Sequence, residues 1–402
     1  MTSVLEPSTS RARRADLPSV QAALRIAREI AGPAAKSVDE EARFPRESID
    51  ACREAGLLSA LVPVELGGMG LSLGDVAAMC EALGQACANS AMVFAMHQIQ
   101  VACLVRHGRE TPAIVEYMRR LVREQRLMAS ATTEVGVGGD VRTSLCAVER
   151  TGDRFRLVKQ APVISYALES DDIMVTARRA PDASNSDQVI VLVDRANARL
   201  TPISTWDTLG FRGTCSLGFT LEAEGDAAAV IPQPYAEVSS RTMLPTAHTL
   251  WTSLWLGLAT DAVGRARAYI RAEARKKPGT VPPGAARLAE LVSVLATFRS
   301  TVHDGVRRYE EAMHDDEVLS GMAFALRMNS LKISGSTLVV DIVHRALMIC
   351  GINGYRNDSP YTLARHYRDA LGAALMVNND RILGNSSSIL LVQKDDASDV
   401  GA

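Results

Sequence analysis

Neither sign of charge prevails in this chain of 402 residues. Forty-four Lys and Arg stand against 46 Asp and Glu, a formal net charge of −2, which gives no general pull toward nucleic acid or an anionic membrane. An anionic ligand would need a local basic site. No apolar run reaches the roughly 18 residues expected of a membrane-spanning helix. His97 and Gln98 break one candidate run, and Asp261 and Arg265 break another. The seven cysteines, at 52, 80, 87, 103, 146, 215 and 350, are odd in number and form no CxxC pair. That argues against structural zinc or a disulfide framework and for a reducing compartment, read here as the cytoplasm. Each cysteine reads as a small buried hydrophobe. Arg11, Arg13 and Arg14 are followed by no apolar signal core, and there is no internal repeat.

What is present is ordinary globular composition, 47% apolar and 22% charged. The length suits two to four domains at roughly 100–200 residues each. Residues 1–16 read as a disordered leader, and 17–127 as a helical domain. There Val20, Ala23, Leu24, Ala27 and Ala31 share helix spacing, as do Ile49, Cys52, Ala55 and Leu58. Gly56 helps to stop the second of these helices, and further helices are expected over 73–87 and 90–105. Residues 128–237 change texture. Short β-rich runs at 154–158, 173–177, 189–193 and 217–221, bounded by turn residues, predict a small barrel or sandwich. Residues 238–392 return to helical periodicity in four long stretches, 249–276, 283–312, 317–350 and 360–391, the pattern of a four-helix bundle. Residues 393–402 read as a flexible tail. The fold class expected is therefore α+β and multi-domain.

Several local motifs narrow this. Phe44-Pro45, Ala55-Gly56-Leu57-Leu58 and Pro63-Val64-Glu65-Leu66-Gly67-Gly68-Met69-Gly70 form one group. Thr133-Glu134-Val135-Gly136-Val137-Gly138-Gly139-Asp140 and Trp206–Ser216 form a second. Ala266–Arg275 with Leu288-Ala289-Glu290-Leu291, Arg345–Tyr355, and Tyr367-Arg368-Asp369-Ala370 form a third. Together these resemble the signatures of the acyl-CoA dehydrogenase family over about residues 40–390. The resemblance implies a flavoprotein that binds FAD between protomers of a homodimer or homotetramer. It would oxidise an acyl thioester, on coenzyme A or a carrier protein, with an electron-transfer flavoprotein or O2 as electron acceptor. Glycine-rich backbone such as that around Gly138 also suits close approach of N–H groups to a ligand. By resemblance, Thr133, Gly138, Ile164 and Ser165 would face the flavin. Arg275, Gly351 and Gly354 would reach the dinucleotide of a neighbouring subunit, and Gly139, His97 and Arg368 would lie near substrate. Arg suits a pyrophosphate through its bidentate fork. Without the resemblance, Arg275 reads equally as a helix-terminal basic residue, and His97 as a core histidine with its ring hydrogen bonds satisfied. Arg212 and Thr214 read as fixing a loop, and Asp369 as a helix–helix ion pair.

One family feature is missing. The family's reaction removes an α-proton with a carboxylate while the flavin takes the β-hydride. The stretch where that glutamate is expected reads Ala374-Leu375-Met376-Val377-Asn378-Asn379-Asp380-Arg381. The expected place falls on Val377 or Asn378, and an amide cannot act as a base. Asp380 is the nearest carboxylate, with a cap or ion pair as its other reading. His248 is the second candidate, since histidine titrates near neutrality; its other reading is a cap or surface residue. Gly139 also replaces a serine, Val163-Ile164-Ser165 replaces Trp-Ile-Thr, and Ile352 replaces a glycine. The function read first is an acyl-thioester dehydrogenase with an unusual base; a flavin monooxygenase on the same fold (with His97 and His366 as candidate polar groups) is the alternative, and a scaffold without turnover is the third.

Overall fold

The computed structural model describes residues 14–138 and 140–393. The first part is helical: α1 (Pro18–Ile26), a π turn, α2 (Gly32–Glu40), α3 (Arg46–Glu54), α4 (Leu73–Ala86), α5 (Ala88–His107) and α6 (Pro112–Glu124). Local chemistry sets these limits. Gly56 ends α3 in the left-handed region at φ 72°, where glycine carries no steric cost. Ser72 and Asp75 form a reciprocal capping box at the start of α4. Pro112 opens α6, where its missing N–H has no partner to lose.

Among the described residues eight strands follow: β1 (Met128–Ala131), β2 (Glu149–Thr151), β3 (Arg154–Ala161), β4 (Asp172–Arg178), β5 (Gln188–Asp194), β6 (Ala198–Pro202), β7 (Phe219–Asp226) and β8 (Val230–Ile231). They form two four-stranded sheets, ordered β1-β4-β5-β8 and β2-β3-β7-β6. Only the β1–β4 pair is parallel among these ladders. β3 alternates exposed and buried residues along its whole length, as a strand with one wet face must. β4 and β5 are almost wholly buried, which is why they read as continuous apolar runs. The four strands read from sequence are present. The structure adds β1, β2, β6 and β8, which are short or lack apolar alternation.

The last part holds α7 (Tyr235–Val238), α8 (Leu244–Lys276), α9 (Ala285–Ala312), α10 (Asp316–Ser320), α11 (Met322–Cys350), α12 (Ile352–Tyr355), α13 (Ala364–Gly372) and α14 (Asn379–Leu390). Two expectations are corrected here. The fourth bundle stretch is two helices, because Val377 sits in the left-handed region at φ 44° and Asn378 caps a new helix through Oδ1 and the Asp380 N–H. α5 and α11 are long and apolar enough by composition to cross a membrane, although no single run suggested it. In α5, 89% of the most apolar window is buried inside the protein.

Buried polar groups tie the parts together. The Arg126 guanidinium grips Asp172 at 2.7 Å through two nitrogens, and the Tyr117 hydroxyl donates to the same carboxylate at 2.5 Å. Glu134 accepts from the Ser144 hydroxyl, the Cys146 N–H and the buried Lys159 ammonium, so this signature residue is structural. Asp369 departs from its expected helix–helix ion pair: its Oδ1 accepts the Phe211 N–H at 2.7 Å, joining α13 to the β region.

Candidate functional site

Three loops converge at one end of the β region. The Thr133 hydroxyl donates to the Val163 carbonyl at 3.1 Å, and the Val135 N–H donates to the Gln160 carbonyl at 2.9 Å. The 163–166 loop then pairs with the 214–217 loop, Ile164 N–H to Leu217 O and Tyr166 N–H to Thr214 O, each at 2.8 Å. The Ser165 hydroxyl lies 2.7 Å from that of Ser216. Gly138, at φ 58°, has open space where a side chain would stand, and its carbonyl accepts from Arg381 at 2.7 Å. Thr133 thus lies against the loop that carries Ile164 and Ser165, and Arg381 of the bundle reaches the Gly138 carbonyl. Gly139 lies outside the described residues.

Two substrate expectations are corrected. His97 is fully buried, its Nε2 2.7 Å from the Leu58 carbonyl and its Nδ1 accepting the Met128 N–H at 3.0 Å. Its Nε2–H tautomer satisfies both backbone groups, so neither ring nitrogen is free for a ligand, and burial lowers its pKa to about 4. The Arg368 guanidinium is taken by Asp39, whose carbonyl also accepts from Arg212. Arg368 therefore pins α13 to α2. Arg212 fixes its own loop as well, donating to the Thr208 carbonyl at 2.8 Å.

The two base candidates differ sharply. Asp380 is exposed in the first turn of α14. His248 is buried in α8, with Nδ1 3.1 Å from the Met328 carbonyl and no partner on Nε2. Burial, reinforced by the nearby Lys332 charge, pushes its pKa down to about 4. His366 is buried in α13 with Nε2 2.7 Å from Asp261. Where a base is expected, the structure instead has a clamp that sequence reading missed. Lys332 is wholly buried and donates to the Val377 carbonyl at 2.9 Å and to Asn379 Oδ1 at 2.7 Å. Burial lowers its pKa to about 8. The clamp holds the left-handed turn at Val377; a lysine in an apolar helix was its only signal in sequence.

Arg275 is exposed in the last turn of α8. Gly351, at φ 58°, faces open space, whereas a Cβ on Gly354 would press on Cys350 at 2.8 Å. Along α8, His248 and Arg275 are separated by roughly 40 Å at 1.5 Å per residue. Arg275 therefore stands far from His248 within one chain.

Family models for the acyl-CoA dehydrogenase N-terminal domain and C-terminal domain match residues 19–125 and 241–377. The amino sugar nitrososynthase DnmZ of Streptomyces peucetius is 26% identical over 349 residues, 84% of each chain. The cyclohex-1-ene-1-carbonyl-CoA dehydrogenase of Syntrophus aciditrophicus is 25% identical, covering 85% of this chain and 81% of the relative. FMN-bound TdsC from Paenibacillus sp. A11-2, a dibenzothiophene monooxygenase, shares the fold with a TM-score of 0.81 at 19% identity, over 94% of this chain and 98% of that one. A helical part, a two-sheet middle and a helical bundle with this loop junction between them, matched at both ends, make the chain a member of the acyl-CoA dehydrogenase family and, with it, a flavin oxidoreductase.

Proposed function

We propose that the protein is a monooxygenase that uses reduced flavin and O2. The observation that carries this reading is the state of His248. Burial makes a carboxylate more basic and an imidazole less so. A buried histidine with a pKa near 4 is thus no equivalent of the missing glutamate. Each unit by which a base falls short of the proton it takes costs about 1.4 kcal/mol. Asp380 stands exposed to water on the outside of the bundle turn. Oxygenation needs no carbon-acid base. Reduced flavin supplies two electrons, one oxygen atom joins the substrate and the other leaves as water. The nitrososynthase relative supports the same reading.

In this account Thr133, Gly138, Ile164 and Ser165 hold the flavin ring. His248 Nε2 and the Trp251 Nε1–H, one turn apart on α8 and both buried without partners, offer one acceptor and one donor to an uncharged polar substrate. Arg275, Gly351 and Gly354 would serve the dinucleotide of a second copy if FAD is the cofactor; FMN would need only the first group. Met348, Ile352 and Tyr355 leave an apolar surface beside them exposed, which suits a homodimer or homotetramer. The chain would work beside a separate flavin reductase.

Supplied with reduced FMN or FAD in ¹⁸O2, the protein should convert an amino sugar nucleotide or an aromatic sulfur heterocycle to a product carrying labelled oxygen by mass spectrometry. No labelled product from any of these, with no flavin-dependent O2 uptake, counts against the reading. Acyl-thioester dehydrogenation is the competing outcome.

A further inference from the structure

α14 cannot hold its own place. Its twelve residues are near the length at which an isolated helix is marginal. Gly384, Asn385 and Ser386-Ser387-Ser388 are poor helix formers. Only Ile382 is buried along it, so apolar packing contributes little to its seat. Polar contacts with α11 do the rest. The Lys332 ammonium donates to the Val377 carbonyl at 2.9 Å and to Asn379 Oδ1 at 2.7 Å. Asn379 Nδ2 donates to Ser336 Oγ at 3.1 Å, and Asn329 Nδ2 to Ser386 Oγ at 3.0 Å. Lys332 is wholly buried and, among the described residues, meets no carboxylate. A buried charge served by neutral oxygens alone costs stability. So does the β-branched Val377 at φ 44°. Two such costs at one turn mark a place where position matters more than stability. What the turn positions is Arg381. Just beyond Asn379, its guanidinium crosses from the exposed face of α14 to the Gly138 carbonyl at 2.7 Å.

We propose that Lys332 is a positioning residue for the cofactor. By seating the first turn of α14 it holds Arg381 on the Gly138 loop, and so fixes that loop where the flavin binds. This rests on the reading of residues 133–138 as flavin-facing, and it holds for oxygenation and dehydrogenation alike. The loop needs an outside restraint. Gly136 at φ 93° and Gly138 at φ 58° give it more backbone freedom than other residues would, and ordering it costs entropy. Arg381 supplies that restraint at the backbone itself. An exposed arginine has many rotamers, so its single bond persists only where the backbone that carries it is fixed. Lys332 fixes it. Without the ammonium, Val377 is free to leave the left-handed region, the first turn of α14 frays, and the guanidinium is released to water.

Lys332→Met should loosen both ends of this path. Hydrogen exchange should speed in residues 379–390 and in residues 133–138, and binding of oxidised FMN and FAD should weaken about tenfold, the effect of one charge-assisted hydrogen bond. Arg381→Gln, at an exposed position, should speed exchange in residues 133–138 alone and weaken flavin binding by the same factor. The two substitutions together should do no more than either. Asn379→Asp, which offers the ammonium a carboxylate, should leave exchange and flavin binding as they are. Asn379→Ala removes one acceptor of the clamp and serves in place of Lys332→Met should that variant not fold. The experiment is exchange read by mass spectrometry, with flavin titration, on the full-length protein and these variants. Residues 133–138 unchanged in Lys332→Met while α14 loosens would overturn the proposal. So would flavin losses that multiply in the double variant. Faster loop exchange with unchanged flavin affinity would instead overturn the flavin-facing reading of the loop, and the cofactor role of Lys332 with it.

Discussion

Lowering the pH from 7.5 to 4.5 should cost this protein most of its folding free energy, with loss beginning near pH 6.5. His97, His107, His248 and His366 are buried, and burial holds each near a pKa of about 4, against about 6.5 in an unfolded chain. As pH falls through that window, the unfolded state takes up protons that the folded state refuses. Stability is therefore intact above about 6.5 and is lost progressively toward 4. Each histidine is worth on the order of 3 kcal/mol across the window. Asp369 opposes them: burial lifts its pKa to about 6, so it favours the folded state as it protonates and offsets about one histidine. The remainder is comparable with the whole stability of a domain, roughly 5–15 kcal/mol. Urea unfolding followed by circular dichroism at a series of pH values measures this directly. His107→Gln, which can keep a polar contact to the Thr242 hydroxyl now 2.8 Å from Nε2, should recover about 3 kcal/mol at the acid end. Stability that stays flat between pH 7 and 4.5 would contradict the burial of these imidazoles.

Two glycines on facing helices predict a second large effect. A Cβ on Gly257 of α8 would stand 2.2 Å from the Glu81 carbonyl oxygen of α4, and one on Gly84 of α4 would stand 2.3 Å from the Leu254 carbonyl oxygen of α8. Both obstacles are backbone, so no rotamer change relieves them, and the helices must part along a buried face. Gly257→Ala should destabilise by about 3 kcal/mol, the upper end for overpacking, lowering the thermal midpoint and displacing the helix that carries His248. Gly264 supplies the control on the same helix. It is exposed, with nothing within 4 Å of a Cβ. Gly264→Ala should therefore stabilise by about 0.8–1 kcal/mol, the helix propensity difference. Opposite signs for the two alanines, read by thermal unfolding, are expected. Equal effects would mean that α4 and α8 do not touch as described.

Much of the architecture is legible in sequence because period and punctuation carry it. β3 stands where a β-rich run between turn residues is read, α4 lies within a residue of the expected 73–87, and the α8 and α9 stretches lie within a few residues of where periodicity puts them. The misses have common causes. Val377 in the left-handed region divides a helical stretch that periodicity alone continues, because its conformation is imposed by the distant Lys332. The partnership of Arg368 with Asp39 spans 329 positions, beyond any local pattern. His97 stood between a ligand-facing and a satisfied core reading, and the structure takes the second, because the carbonyl and N–H that consume its ring nitrogens lie on other elements. At the site, the residues of the Gly138 and Ser165 loops were visible as motifs. Ser216 and Thr214 were visible only as members of a turn signature; their alignment behind Ser165 comes from the pairing of two loops some 50 residues apart in sequence.

An anaerobic titration of the flavin-loaded protein with short-, medium- and long-chain acyl thioesters, following the oxidised-flavin absorbance, separates oxygenation from dehydrogenation. The absorbance should persist with every thioester, since neither Asp380, exposed at the bundle turn, nor His248, buried with a pKa of about 4, replaces the missing glutamate. Rapid bleaching by any one of them, with formation of the enoyl product, would contradict the oxygenation reading and establish the protein as an acyl-thioester dehydrogenase.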